Sequence, residues 1–369
     1  MITKILFLTH SSKKGGAEQS LIHLINKLDC EKYKLFLVCP NDTEYLGEIH
    51  APITIIKINL DSIKKYFGFK YVSTVVDLNK IIVNNKIDII HANGWRSPWY
   101  AIPFKFKKKV KTIWHHRDRF NSLFYNFILP FFFDKVICIS YFVKSTLSPI
   151  HQKRSQVIYN GVNFSVEKFP KKVRDFKEDD KFIIGAFGRI VEWKRFDLII
   201  IACKNFYDLE KKSNWKLVLV GGTDIDGTDK YLEYLKKIVK DNGLENNVEF
   251  AGHTNKPLQK MSECDITINF SDREPFGRVI IESLAVKTPV IVADSGGAPE
   301  IIRKTHGGLI AKESNINDLA NKIQEFYLMK NKKYHFYVES GFEEVTNLFN
   351  MEKNSEEVSN LYKSIFNRN

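Results

Sequence analysis

The sequence predicts an α/β protein of two domains, each a parallel sheet assembled from βαβ units, and three observations carry that reading. Short apolar runs alternate with helical patterns through the first half of the chain. A charged stretch over residues 171–181 interrupts the alternation, which restarts at residues 182–187. Glycine pairs follow apolar runs at Gly15–Gly16, Gly221–Gly222 and Gly296–Gly297, where a strand must turn into its next helix. At 369 residues the chain has length for about two domains. The predicted division is 1–170, 171–350 and a terminal helix within 351–369.

In the first half, apolar runs at residues 5–9, 35–39, 53–58, 87–91, 110–114 and 136–140 read as buried strands. Gly15 and Gly16 form the first strand-to-helix turn, and Leu21, Leu24, Ile25 and Leu28 mark the buried face of the helix after it. The fifth run ends in TIWHHRD, with His115, His116, Arg117 and Asp118 in succession. Four ionisable groups at a strand end point to a site rather than a core. Asn160–Gly161 marks a turn leading out of the first domain, and residues 171–181 read as the linker.

In the second half, the strand at 182–187 delivers Gly188 and Arg189, with Glu192, Trp193, Lys194 and Arg195 before the next helix. Arg189 and Lys194 suit a diphosphate, the first by a forked contact and the second as a point charge. Runs at 215–222 and 248–253 supply further strands. A strand at 265–270 then leads into a loop with Glu274, Pro275, Phe276 and Gly277, a helix at 277–286 and a strand at 289–293. Loops at the carboxyl ends of parallel strands are where open α/β sheets bind ligands, and amides at a helix start suit a phosphate. Glu282 sits among Val279, Ile280, Ile281 and Leu284, where a carboxylate needs a partner. The plainer reading makes Arg278 and Glu282 a surface i,i+4 pair and Glu274 a first-turn acid. Val358, Leu361, Tyr362 and Ile365 give residues 351–366 a helical apolar face.

Apolar residues make up 44% of the chain, which excludes a disordered protein. Five cysteines without a CxxC pair read as buried free thiols in a reducing compartment. The opening MITKILFLTH reads directly as a strand and not as a leader. A net charge of +13 calls for an anionic partner or a solubility role. No nucleic-acid motif accompanies the basic residues. Their dense cluster, residues 105–111, precedes a Phe-rich segment at 120–133. That juxtaposition fits contact with an anionic membrane surface, or equally a core of phenylalanines beside solvated lysines. There is no Walker loop, GxSxG or zinc spacing. Asp224 and Asp226 form an Asp-x-Asp in a Gly-rich loop away from a strand end, so no metal site is expected.

Glu274 and Glu282 with seven residues between them, Pro275-Phe276-Gly277 after the first, and Gly296, Gly297, Pro299 and Glu300 after the next strand closely resemble a known signature. It is the donor site of family 4 retaining glycosyltransferases, enzymes of the GT-B fold. The resemblance implies two Rossmann-like domains facing a cleft, with the C-terminal helix crossing back to the first. It also implies that Glu274 meets sugar hydroxyls and Glu282 the ribose, with backbone around Phe276, Gly277 and Arg278 at the diphosphate. Gly188, Arg189 and Lys194 resemble the pyrophosphate-binding pattern, with Arg195 replacing a common glycine, and Gly221 closes the next strand's turn. Gly15 and Gly16 match the loop that faces acceptor and phosphates. A histidine near the transferred sugar falls on His115 or His116, or is replaced by Arg117. The implied activity moves a hexose or N-acetylhexosamine from a nucleoside-diphosphate sugar to a glycan or lipid-linked acceptor, without metal or other cofactor. Its setting would be surface polysaccharide or lipopolysaccharide synthesis, in the cytoplasm or peripheral on the inner membrane face. The rivals are a nucleotide-sugar-binding, membrane-associated partner without catalysis, and a GT-B epimerase.

Overall fold

The computed structural model describes residues 2–63, 68–163, 181–210, 214–223, 230–329 and 331–366. Residues 171–180 of the expected linker, and both Asp224 and Asp226, lie outside them. Two compact units divide the chain: Met1–Asn163 with Asn350–Asn369, and Phe164–Phe349.

The first unit contains β1 (Thr3–Leu8), α1 (Gly16–Lys27), β2 (Tyr33–Cys39), β3 (Ile53–Lys57), α2 (Phe69–Asn85) and β4 (Ile89–Asn93). It continues with α3 (Ser97–Ala101), β5 (Lys111–His116), β6 (Lys135–Cys138), α4 (Tyr141–Ser145), α5 (Pro149–Arg154) and β7 (Ser155–Val157). All pairings are parallel, in the order β3-β2-β1-β4-β5-β6-β7. The chain steps one way from β1 to β3 and the other way from β4 to β7. Right-handed crossovers therefore place α1 on one face and α2 to α5 on the opposite one. On the α1 face, Ile5, Phe7, Ile89 and Ile113 pack with Leu21 and Leu24. On the other, Leu78, Tyr100, Leu129 and Phe133 are buried, with Phe133 against Trp114. Both faces are covered, which is why these strands read as nearly unbroken apolar runs.

β5 runs two residues beyond the run seen in the sequence. Its pairing with β4 continues through Asn93 opposite His115, and both histidines are buried inside the strand rather than standing on a loop. The Phe-rich stretch divides: Leu129 and Phe133 enter the core, while Leu123 is 76% exposed and Phe131 is also exposed. Cys39, Cys138, Cys203 and Cys264 are buried free thiols, and Cys30 is exposed. Among the described residues no helix is long and apolar enough to cross a membrane.

The second unit carries β8 (Phe182–Phe187), α6 (Phe196–Leu209), β9 (Trp215–Val220), α7 (Lys230–Asp241), β10 (Val248–Gly252), α8 (Pro257–Ser262) and β11 (Ile266–Asn269). It ends with α9 (Arg278–Ala285), β12 (Val290–Ala293), α10 (Ala298–Thr305), β13 (Gly308–Ala311), α11 (Ile316–Tyr327) and α12 (Asn331–Leu348). Its sheet, also parallel, has the order β10-β9-β8-β11-β12-β13. Phe182, Phe206, Trp215, Ile268 and Phe326 share its core. The chain then returns to the first unit as α13 (Met351–Phe366), whose Val358, Leu361 and Tyr362 join the core on the α1 face.

Candidate active site

In the second unit the strand order reverses between β8 and β11. The crossovers after these two strands leave on opposite faces, so a crevice opens at their carboxyl ends. Residues 188–195 follow β8 and residues 270–277 follow β11. Lys194 Nζ lies 2.5 Å from Glu274 Oε2, and the two side chains keep only 11% and 9% of their exposure. The Lys194 ammonium also stands 4.4 Å from the centre of the Trp193 ring, a cation–π distance. The backbone reinforces the bridge, with Asp272 N–H donating to the Trp193 carbonyl at 2.7 Å. A carboxylate and an ammonium withdrawn from water this far need each other, since removing one strands the other.

Two glycines allow the loops to close. A Cβ on Gly221 would sit 1.7 Å from the Gly188 carbonyl oxygen. Gly296 has φ +68°, and a Cβ there would fall 2.3 Å from the Glu274 carbonyl oxygen. That same carbonyl accepts from Gly297 N–H at 2.7 Å. The Gly-Gly turn after β12 thus grips the main chain of Glu274 and fixes where its carboxylate points. Ser295 Oγ accepts from Arg273 N–H at 2.9 Å and donates to Glu313 Oε1 at 2.6 Å, which holds the same loop from its other side.

Gly277, at φ 93°, starts α9 without a side-chain cap. Phe276 is buried with its ring 6.0 Å from that of Phe349, so only its backbone can meet a ligand. Arg278 donates to Glu282 Oε1 at 2.8 Å. The pair is i,i+4, but at 13% and 17% side-chain exposure it is mostly withdrawn from solvent. Arg189 is exposed, directly after Gly188. Gly188, Lys194, Gly221, Glu274 and Gly277 therefore belong to one loop cluster, with Arg189 on its rim and Glu282 one turn into α9. Among the described residues no group of three His, Cys, Asp or Glu is placed to hold a metal.

In the first unit the order reverses between β1 and β4. Gly15 and Gly16 open α1 after β1, with Gly15 N–H held by Glu18 Oε2 at 3.1 Å. Asn93 ends β4 with Nδ2 3.5 Å from the Ala17 carbonyl. Arg117, just past β5, donates from Nε to Asn93 Oδ1 at 2.5 Å and from a terminal nitrogen to Asn160 Oδ1 at 2.7 Å. Its other terminal nitrogen lies 3.3 Å from His115 Nδ1. Arg117, His115 and the Gly15–Gly16 turn thus gather at this switch point. His116 does not join them. Successive strand residues face opposite ways, and its ring stacks between Trp114 at 4.2 Å and Phe120 at 5.7 Å. Burial pulls its pKa down to about 3.

The residues that assemble this second cluster include three not singled out as site candidates in the sequence, His91, Asn93 and Asn160, the last read there only as part of a turn. A signal existed for two of them. Ile89, His91 and Asn93 alternate along β4, so the polar pair shares a face with a core isoleucine. Buried polar side chains on a core face must find one another.

Residues 14–166 match the family model described as Glycosyltransferase Family 4, and residues 167–343 match Glycosyl transferases group 1. The chain is 27% identical to the uncharacterized glycosyltransferase MJ1178 of Methanocaldococcus jannaschii, over 95% of each chain. It is 28% identical to the N-acetylgalactosamine-N,N'-diacetylbacillosaminyl-diphospho-undecaprenol 4-alpha-N-acetylgalactosaminyltransferase of Campylobacter jejuni, over 86% of this chain and 88% of that one. The fold is shared with Anabaena Alr3699/HepE, solved in complex with UDP and glucose. There the TM-score is 0.80 at 22% identity, over 98% of this chain and all of that one. Since the two family models meet at residue 166 and between them span residues 14–343, the chain belongs to the family 4 glycosyltransferases and has the GT-B fold.

Proposed function

We propose that the chain moves a hexose or N-acetylhexosamine from a nucleoside-diphosphate sugar to a glycan or lipid-linked acceptor, in surface polysaccharide or lipopolysaccharide synthesis. Transfer retains the anomeric configuration and uses no metal. The observation that carries this reading is the Lys194–Glu274 pair at the crevice between β8 and β11. An ammonium has three N–H groups, so Lys194 can hold Glu274 and still donate to a phosphate. Glu274 keeps a second oxygen for a sugar hydroxyl. One contact thus sets the distance between phosphate recognition and sugar recognition, which is the distance across the bond to be broken. Arg189 and Lys194 stabilise the charge that grows on the leaving diphosphate, together with amides following Gly277. Glu282 holds the ribose. The first unit takes the acceptor, with Gly15, Gly16, His115 and Arg117 on its side of the reaction.

The lipid-linked acceptor is favoured by the Campylobacter relative, whose name describes a diphospho-undecaprenol substrate. It is also favoured by exposed apolar side chains and lysines in the connections on either side of β5. Phe106, in the loop before β5, is 79% exposed beside the exposed Lys108 and Lys109, and Leu123, in the segment after β5, is 76% exposed. Apolar side chains among lysines suit an anionic bilayer, and like charge disfavours pairing of two such faces. The reading is tested by mixing protein, α-linked donor and acceptor in excess chelator. The expected result is release of nucleoside diphosphate only when acceptor is present, with an α-linked product. A β-linked product, or turnover restored only by a divalent cation, would overturn it.

A further inference from the structure

A chain of hydrogen bonds in the first unit runs from the C-terminal helix to the strand end that carries His115. Tyr362 Oη, on α13, lies 2.6 Å from His91 Nδ1. His91 Nε2 lies 3.1 Å from His115 Nδ1. The same His115 nitrogen is 3.3 Å from an Arg117 terminal nitrogen. Tyr362, His91 and His115 are each at most 1% exposed.

Only one arrangement of protons satisfies this chain. A guanidinium has donors and no acceptor, so Arg117 makes His115 Nδ1 an acceptor. A neutral His115 then carries its proton on Nε2. With His115 Nδ1 bare, His91 Nε2 must donate to it, which leaves His91 Nδ1 bare and makes the Tyr362 hydroxyl its donor. Both rings stay neutral, because burial and the Arg117 charge push His91 down to about 3 and His115 well below its usual value. The sequence ends on His115 Nε2–H, which is shielded from solvent and meets no hydrogen-bond partner among the described residues. An unpaired buried donor is costly, and a ligand's acceptor oxygen can complete it.

We propose that Tyr362 and His91 are positioning residues for sugar transfer: Arg117 sets the His115 tautomer, and the Tyr362–His91 pair holds the ring so that its Nε2–H is presented to an oxygen of the bound sugar or acceptor. The proposal rests on the transfer reading above. It gives α13 a task beyond packing: the buried Tyr362 hydroxyl orients a histidine in a different part of the chain.

Three variants and one spectrum test it. Tyr362→Phe keeps the ring that packs edge-on to Tyr33 at 5.8 Å and removes only the hydroxyl. His91→Gln retains one donor and one acceptor at similar spacing, whereas His91→Leu fills the space with neither. Tyr362→Phe and His91→Leu should each lower kcat about tenfold with donor KM little changed, and Gln should recover most of what Leu loses. A packing role predicts the reverse order, since a buried apolar side chain suits Leu better than Gln. Nitrogen-15 NMR of labelled histidines should show His115 as the neutral Nε2–H form between about pH 5 and 8, and it should keep that form in Tyr362→Phe because Arg117 still donates to Nδ1. A wild-type His115 protonated on Nδ1, or an unchanged kcat in Tyr362→Phe, would overturn the proposal. The spectrum needs no substrate. A wild-type protein without transfer activity would therefore sink the transfer reading alone, and the tautomer would still decide the relay.

Discussion

Lys194 and Glu274 are 80 residues apart in sequence and meet at 2.5 Å. Both stand out in the sequence as candidate site residues from their local motifs, Gly188-Arg189 with Lys194 five residues on, and Glu274-Pro275-Phe276-Gly277. That they touch was not legible, because the contact depends on β8 and β11 being neighbours, which is a property of strand order. The contact sharpens what mutation should do. Lys194→Ala removes a phosphate donor and strands a carboxylate with little solvent, so nucleotide affinity and turnover should fall together. Arg189→Ala, on an exposed rim, should cost turnover more than fold, since charge grows on the phosphate as the bond breaks. Each lost charged hydrogen bond is worth roughly 1.5–3 kcal/mol. Steady-state kinetics beside thermal melting checks both. Unchanged kinetics in both variants would remove the diphosphate assignment. In the first unit the sequence marked His115, His116 and Arg117 without choosing among them. Strand alternation separates the histidines, sending His115 to Arg117 and His116 into an aromatic stack.

At the scale of elements, βαβ alternation was readable because parallel strands covered on both faces are apolar throughout. Strand ends were less readable where polar residues are buried. β5 seemed to stop at Trp114 and in fact continues to His116, since His115 and His116 find partners or aromatic faces inside. The Phe-rich segment at 120–133 was ambiguous for a related reason. Composition cannot say which side of a short helical turn points inward, and the structure splits it, Leu129 and Phe133 inward and Leu123 and Phe131 outward. Lys105 is committed to Asp134 at 2.6 Å, whereas Lys108 and Lys109 are exposed. Those two should therefore carry vesicle binding. Wild-type protein should sediment with anionic vesicles and release as salt rises. Replacing Lys108 and Lys109 by Glu should weaken binding by about 1 kcal/mol or more per site. Equal recovery on neutral and anionic vesicles would leave the lysines as solvated surface.

At the scale of the whole molecule, each unit has its own doubly wound sheet and its own switch point, and the chemistry-bearing residues collect at both. The second unit's cluster combines cations, a gripped carboxylate and a glycine-started helix, and the first unit's combines neutral histidines with an arginine. That contrast is the basis for assigning the donor to the second unit and the acceptor to the first. The central claim is the division of labour inside the donor cluster, and calorimetric titration of nucleoside diphosphate into Glu282→Gln and Glu274→Gln tests it most directly. If Glu282 holds the ribose, its variant should lose tenfold to a hundredfold in affinity, or about 1.4 to 2.8 kcal/mol. Glu274→Gln keeps an oxygen for Lys194 and removes the charge that competes with phosphate for it, so affinity should hold or rise. Equal weakening in both variants would contradict the division of roles, and no change in Glu282→Gln would return Arg278 and Glu282 to an ordinary helix pair.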